Sequence, residues 1–157
     1  MHTPNLFRVL LIPVLALAPA VAFCQPAVSI QNTVVTEPPP GVDMTAGYCR
    51  LRNSSDQPLK LLKVTSPDFE KIEMHRTTIT NGVAGMVRQK SITIPARSSF
   101  AFTPGAYHLM MFHPHRQLVV GDSVTLTFFF SDATSLQATA AVRKPGMVSE
   151  HNSHQLQ

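Results

Sequence analysis

Asn81-Gly82 is the dipeptide that most restricts how this chain folds. A two-residue type I′ turn needs positive φ at both central positions, and Asn-Gly supplies it at low cost, so this pair between two β-prone runs closes a hairpin. The flanking runs are Phe69–Thr80 and Val83–Gln89. So short a loop also sets the register: Thr80 pairs with Val83, and Thr77 lies opposite Met86. His75, two residues before Thr77, then shares a face with Met86. The two are diagonal neighbours, a relation that spans roughly 7–8 Å and lies within reach of long side chains converging on an ion.

The rest of the chain has the same texture. Beyond the N-terminal segment no stretch sustains a helical period, and short alternating runs are punctuated by Pro, Gly and Asn. Val28–Thr36 is predicted as a strand, closed by Glu37-Pro38-Pro39-Pro40-Gly41, whose prolines offer no ladder donors. Strands are expected over 46–52 and 59–64, at Ile92/Ile94 and at Phe100/Phe102. Leu118–Val120 leads into the Gly121-Asp122 turn. The cleanest alternation is Val124, Leu126, Phe128 and Phe130 against Thr125 and Thr127, followed by Leu136, Ala138, Ala140 and Val142. Roughly eight or nine short strands in one domain predict an all-β fold, a β-sandwich or a small Greek-key barrel.

The N-terminal segment reads as an export signal. Residues 1–8 carry one cation, Arg8, residues 9–18 are apolar, and Ala20-Val21-Ala22 offers a small-residue cleavage site. Pro13 and Pro19 interrupt a run already too short for a comfortable membrane span. Bulky Phe23 stands before Cys24, where a lipobox would have a small residue, so cleavage after Ala22 is expected. The expected organisation is a signal over 1–22, one β domain over 23–145 and a polar tail over 146–157. Loss of Arg8 takes the formal charge from +4 to +3. With no Lys/Arg cluster interleaved with aromatics, nothing marks a nucleic-acid surface. Cys24 and Cys49 permit a disulfide in an exported chain, while the alternation of Cys49 with Arg50 and Arg52 points its thiol to the core; both readings stand.

A second pair of metal-competent side chains lies in Thr103-Pro104-Gly105-Ala106-Tyr107-His108-Leu109-Met110-Met111, a turn feeding an apolar strand. Residues two apart on a strand point the same way, so His108 and Met110 share one face and Leu109 and Met111 the other. Taken alone, Met110 reads as easily as core packing, because short metal motifs match often by chance. Combined with His75 and Met86 the pattern becomes two imidazoles and two thioethers. That set suits Cu(I): thioethers are soft, and four neutral donors leave a singly charged ion uncompensated, unlike the thiolate-rich sites of Zn(II).

The run His75, ten residues, Met86, twenty-one residues, His108, one residue, Met110 resembles the H-x10-M-x21-H-x-M signature of periplasmic copper chaperones of the PCuAC (DUF461) type. Gly47-Tyr48, Arg52-Asn53, Pro104-Gly105-Ala106-Tyr107-His108 and Gly121-Asp122 agree with it, over about residues 28–142. The resemblance implies a cupredoxin-like β-sandwich that binds Cu(I) through His75, Met86, His108 and Met110. It also implies a client, the copper centre of a respiratory terminal oxidase, served alongside a Sco-type thiol chaperone. The chain departs from the pattern in two places. Arg76 follows the first histidine where the family commonly has Met, and Met74 precedes it and points away by strand parity. His113-Pro114-His115 stands after Met110 in place of small residues, as extra ligands or as a polar loop. The tail carries Met147, His151 and His154; in some members such extensions bind a second copper, as Cu(II), and the bland alternative is a solvated tail.

Other classes fit less well. A blue-copper electron carrier needs a Cys close before a His near the C-terminal end, and no Cys follows Cys49. A thiol reductase would carry a CxxC-like pair, and no paired-carboxylate or Ser/His/Asp arrangement suggests an enzyme. The competing readings are an exported β-sandwich adhesion or assembly module with incidental His and Met, and a periplasmic copper buffer.

Overall fold

The computed structural model describes residues 27–147 and is all-β. Its ten strands are β1 (Val28–Thr36), β2 (Met44–Asn53), β3 (Leu59–Thr65), β4 (Phe69–Thr80), β5 (Val83–Gln89), β6 (Ile92–Ile94), β7 (Ser99–Phe102), β8 (Tyr107–Pro114), β9 (Ser123–Phe130) and β10 (Ser135–Arg143). The expected export signal, Cys24, and His151 and His154 of the tail lie outside the described residues.

The strands follow one hydrogen-bonded path, β5-β4-β8-β2-β1-β10-β9-β3-β6, with β7 pairing β2 beyond the end of β8. The path folds over on itself, so that β3 of one half packs against β4 of the other. All pairings are antiparallel except β1 with β10. Alternation decides which side chains go inside: Val124, Leu126, Phe128 and Phe130 are buried, as the period-2 run requires. Cys49 joins this core on the inward parity of β2 with Leu51, and burial pushes its thiol far above the ordinary range.

Turns sit where the turn chemistry places them. Asn81 and Gly82 both adopt positive φ, 53° and 77°, as the type I′ hairpin demands. The ladder beyond it runs from Thr80↔Val83 through Thr77↔Met86 to Met74↔Gln89 without a slip. Asn53 is fully buried at the end of β2 and acts as a staple. Its amide Nδ2 lies 2.8 Å from the Gln57 carbonyl and 3.1 Å from that of Pro95, while Oδ1 accepts the Ser55 backbone N–H and hydroxyl. Residues 118–120 lead into a tight turn as expected, and Asp122 caps the Val119 N–H there. One detail differs from expectation. β1 carries a bulge between Gln31 and Val34, with Asn32 at positive φ.

Candidate metal centre

β8 presents two faces with opposite work to do. Leu109 and Met111 are fully buried in the core, and Gly47 on β2 lets them pack close: a Cβ there would sit 3.0 Å from Met111 Sδ. Below them Tyr107 stacks edge-on against Phe100, which meets Phe102 in the same way, and this ladder braces the strand from inside. His108 and Met110 therefore take the other face. β4 divides similarly, with Met74 in the core and His75 opposite, so Met74 does point away from the histidine.

β4 and β8 are antiparallel neighbours, and their register places His75 directly across from His108 and Glu73 across from Met110. The two imidazoles stand with ring centroids 5.8 Å apart, tilted by 53°. Met86 on β5, opposite Thr77, is one strand further out on the same face and 59% exposed. His108 is 6% exposed and Met110 half-buried, so the face grades from a covered floor to an open rim.

Each ring keeps one buried nitrogen without a partner: Nδ1 of His75 and Nε2 of His108. The remaining nitrogens are engaged. His75 Nε2 lies 2.9 Å from Glu73 Oε2, and His108 bonds the backbone at Ala106. Burial holds the His108 pKa below its ordinary value; the Ala106 bond works against that and the neighbouring His75 with it. Buried polar atoms are almost always satisfied, so two orphaned imidazole nitrogens on facing rings point to an absent partner. The spacing fits one ion. Two imidazoles bound through bonds of about 2 Å would hold their centroids roughly 5–6 Å apart, between a tetrahedral and a linear arrangement.

Glu73 was not anticipated from the sequence. Its carboxylate accepts from His75 at Oε2 and from Lys71 Nζ (3.0 Å) and Arg88 Nη1 (3.3 Å) at Oε1. The His75 bond, then the Lys71 bond, hold its pKa below the carboxylate range. The available signal was the Glu-x-His spacing itself, since residues two apart share a face.

The other candidates lie elsewhere. His113 is exposed, at positive φ and on the parity of Leu109 and Met111. His115 bonds the Pro67 carbonyl at 2.9 Å and docks its loop on the turn before β4. Met147 is exposed beside Val120 and Val142, away from that face. A cavity of about 650 Å³ between the Pro38-Pro39-Pro40 loop and residues 116–119 shares no residue with it. Among the described residues no group of three or more His, Cys, Asp or Glu is arranged to hold a metal, so an ion on this face would depend on thioether donors.

Fold and face together define a cupredoxin-like β-sandwich carrying an imidazole–thioether candidate metal centre. The profile of the LpqE-like family ("Putative lipoprotein LpqE-like") matches residues 28–142, and the chain belongs to that family, the PCuAC (DUF461) domains. It is similar to the solution structure of Cu(I)-bound DR1885 from Deinococcus radiodurans: 34% identity, TM-score 0.63, over 81% of this chain and 85% of that one. It also shares its fold with the copper-bound PCuAC domain from PmoF2, at 24% identity and TM-score 0.66, over 78% of this chain and 97% of that domain. Among curated relatives, the uncharacterized protein RP573 of Rickettsia prowazekii is 30% identical over 113 residues, 71% of this chain and 58% of its own length. The Leifsonia xyli protein described as "Putative lipoprotein Lxx21020" is 28% identical over 104 residues, 66% of this chain and 63% of its own length. The chain thus spans less than two thirds of either curated relative. Among the described residues no helix is long and apolar enough to cross a membrane.

Proposed function

We propose that this protein is an exported copper carrier that binds Cu(I) through His75, Met86, His108 and Met110 and passes it to a partner protein. The observation that carries this reading is the cross-strand pairing of His75 with His108, each keeping a buried, unpartnered nitrogen on the face shared with Met110 and Met86. Two imidazoles and two thioethers suit a soft monovalent ion. Thioethers also stay competent in an oxidising compartment, where paired thiols are lost to disulfides. The similarity to Cu(I)-bound DR1885 supports the same cargo.

The grading of the face suits transfer. An incoming donor atom from a partner meets Met86 first, at the exposed rim, while the histidines hold the ion from below. By the family resemblance the recipient is the copper centre of a respiratory terminal oxidase, with a Sco-type chaperone acting on the same client. The lipoprotein names of the family and of the Leifsonia relative support export, and the expected signal over 1–22 ahead of a domain over 23–145 is in keeping with a periplasmic destination. The tail, with Met147, His151 and His154, would take a second copper as Cu(II). The role is carriage, not catalysis.

X-ray absorption on the Cu(I)-loaded protein lacking residues 147–157 tests the site. A shell of about two nitrogens and two sulfurs, lost in the His108→Ala/Met110→Ala variant, is the expected result. Absence of stoichiometric copper would leave an exported β-sandwich of another function. Deleting the tail should also remove any Cu(II) bound beyond the first copper; if it does not, the second site lies elsewhere.

A further inference from the structure

We propose that Glu73 is a positioning residue that locks the tautomer of His75, so that the two histidines hold the cargo through different nitrogens: Nδ1 of His75 and Nε2 of His108. The inference rests on the copper-binding reading and specifies how that site is built.

Glu73 Oε2 lies 2.9 Å from His75 Nε2. Glu73 Oε1 is held by two cations, Lys71 Nζ at 3.0 Å and Arg88 Nη1 at 3.3 Å, which keep the group a carboxylate. An ionised carboxylate only accepts, so the proton in the contact belongs to Nε2. A neutral imidazole protonated at Nε2 has its lone pair at Nδ1, the nitrogen of His75 that is buried and unpartnered. Were Nδ1 protonated as well, its N–H would be a buried donor with no acceptor, a state that costs free energy.

His108 is arranged the other way round. Its Nε2 is the buried atom without a partner, and the Ala106 backbone beside the ring acts to favour its protonated form, so the proton of the neutral ring is assigned to Nδ1. The lone pair is therefore at Nε2. Strand geometry explains the asymmetry: Glu73 is two residues before its histidine on β4, on the same face, while Ala106 is two residues before His108 in the turn entering β8 and offers its carbonyl. Each ring is thus pinned by one nitrogen and presents the other. Such outer partners fix ring orientation and raise donor basicity. With both oxygens of Glu73 already engaged, the carboxylate acts on the ion only through His75.

The test is a long-range 1H–15N correlation spectrum of the 15N-labelled full chain, before and after anaerobic addition of Cu(I) as its acetonitrile complex. Cu(I) is closed-shell, so the ring resonances stay observable. The expected result is a metal-induced shift at His75 Nδ1 and His108 Nε2, with His75 Nε2 still protonated. A metal-induced shift at His75 Nε2 would overturn the proposal while leaving the copper site intact. No shift at either ring would overturn the copper reading and this inference with it. In variants, Glu73→Gln keeps an acceptor oxygen and should keep Nδ1 ligation. Glu73→Ala should populate both tautomers of apo His75 and weaken Cu(I) binding about 10–100-fold. Glu73→Ala with an unchanged tautomer and unchanged affinity would also refute the assignment, and the wild-type spectrum decides even if that variant folds poorly.

Discussion

At the scale of single residues the proposed ligands are unequal. Met110 is half-buried next to the histidines by register, whereas Met86 is 59% exposed on the outermost strand. Met110→Ala should therefore weaken Cu(I) binding by at least about tenfold more than Met86→Ala, a difference of roughly 1.4 kcal/mol. Competition against a Cu(I) chelator of known affinity measures it; equal losses would contradict the graded site. The histidines set the pH dependence, because methionine needs no deprotonation. Burial depresses the His108 pKa, so in the folded apo-protein the ring stays neutral at pH values where the unfolded chain already binds a proton. Apo stability from this group is then full above about pH 6.5 and falls as pH drops from there to the depressed value. Copper affinity should fall with acid as well, and a flat affinity from pH 8 to 5 would refute histidine ligation. The His and Met positions stood out in the sequence because strand parity pairs them and their spacing resembles the family signature. Glu73 did not, because a carboxylate that acts through a histidine belongs to no ligand spelling.

At the scale of elements, what was legible is what local chemistry controls. Asn81-Gly82 determined both the turn and the ladder, and with them the shared face of His75 and Met86. The parity of His108 and Met110 followed from the alternation of β8. The pairing of β4 with β8, which sets His75 opposite His108, left no local trace: it is made by two strands whose inner faces, Met74 and Ile72 against Leu109 and Met111, fill the same core. The bulge at Asn32 and the extension of β2 to Met44 were hidden for a related reason, since neighbouring strands decide where pairing stops. Gly82→Ala tests the hairpin. At φ +77° an alanine is strained, so a loss of about 1 kcal/mol in denaturant unfolding is expected. Copper affinity should drop with it, as the register that brings Met86 back along the hairpin loosens. Unchanged affinity in a folded Gly82→Ala protein would mean that the turn does not position Met86. Asn53→Ala, far from the site, should by contrast cost about 2–3 kcal/mol by leaving the Gln57 and Pro95 carbonyls without their donor, with copper affinity unaffected.

At the scale of the molecule, the proposed ligands occupy one end of the strand path, β5-β4-β8, and none lies on β10, β9, β3 or β6. β5 is the exposed edge of that end, paired only to β4 and open along nearly its whole length. A strand so poorly buried opens locally at a small fraction of the global free energy, whereas the β9 core opens only with the whole fold. Copper that binds the native state alone raises global stability by about 2.7 kcal/mol when free ion is a hundredfold above Kd. Amides that exchange through global unfolding must all share that gain, whichever ligands hold the ion. Hairpin amides behave differently. If Met86 is a ligand, fraying β5 from β4 breaks the site, so Cu(I) should slow exchange at the β4–β5 ladder well beyond its apo value. If the ion is held by His75, His108 and Met110 alone, β5 can open with copper in place and its exchange stays as it was. Hydrogen exchange on the Cu(I)-loaded and apo proteins therefore separates a four-donor centre from a three-donor one, independently of affinity. Protection confined to the global exchangers would remove Met86 from the site and leave its thioether at the rim as a point of first contact only.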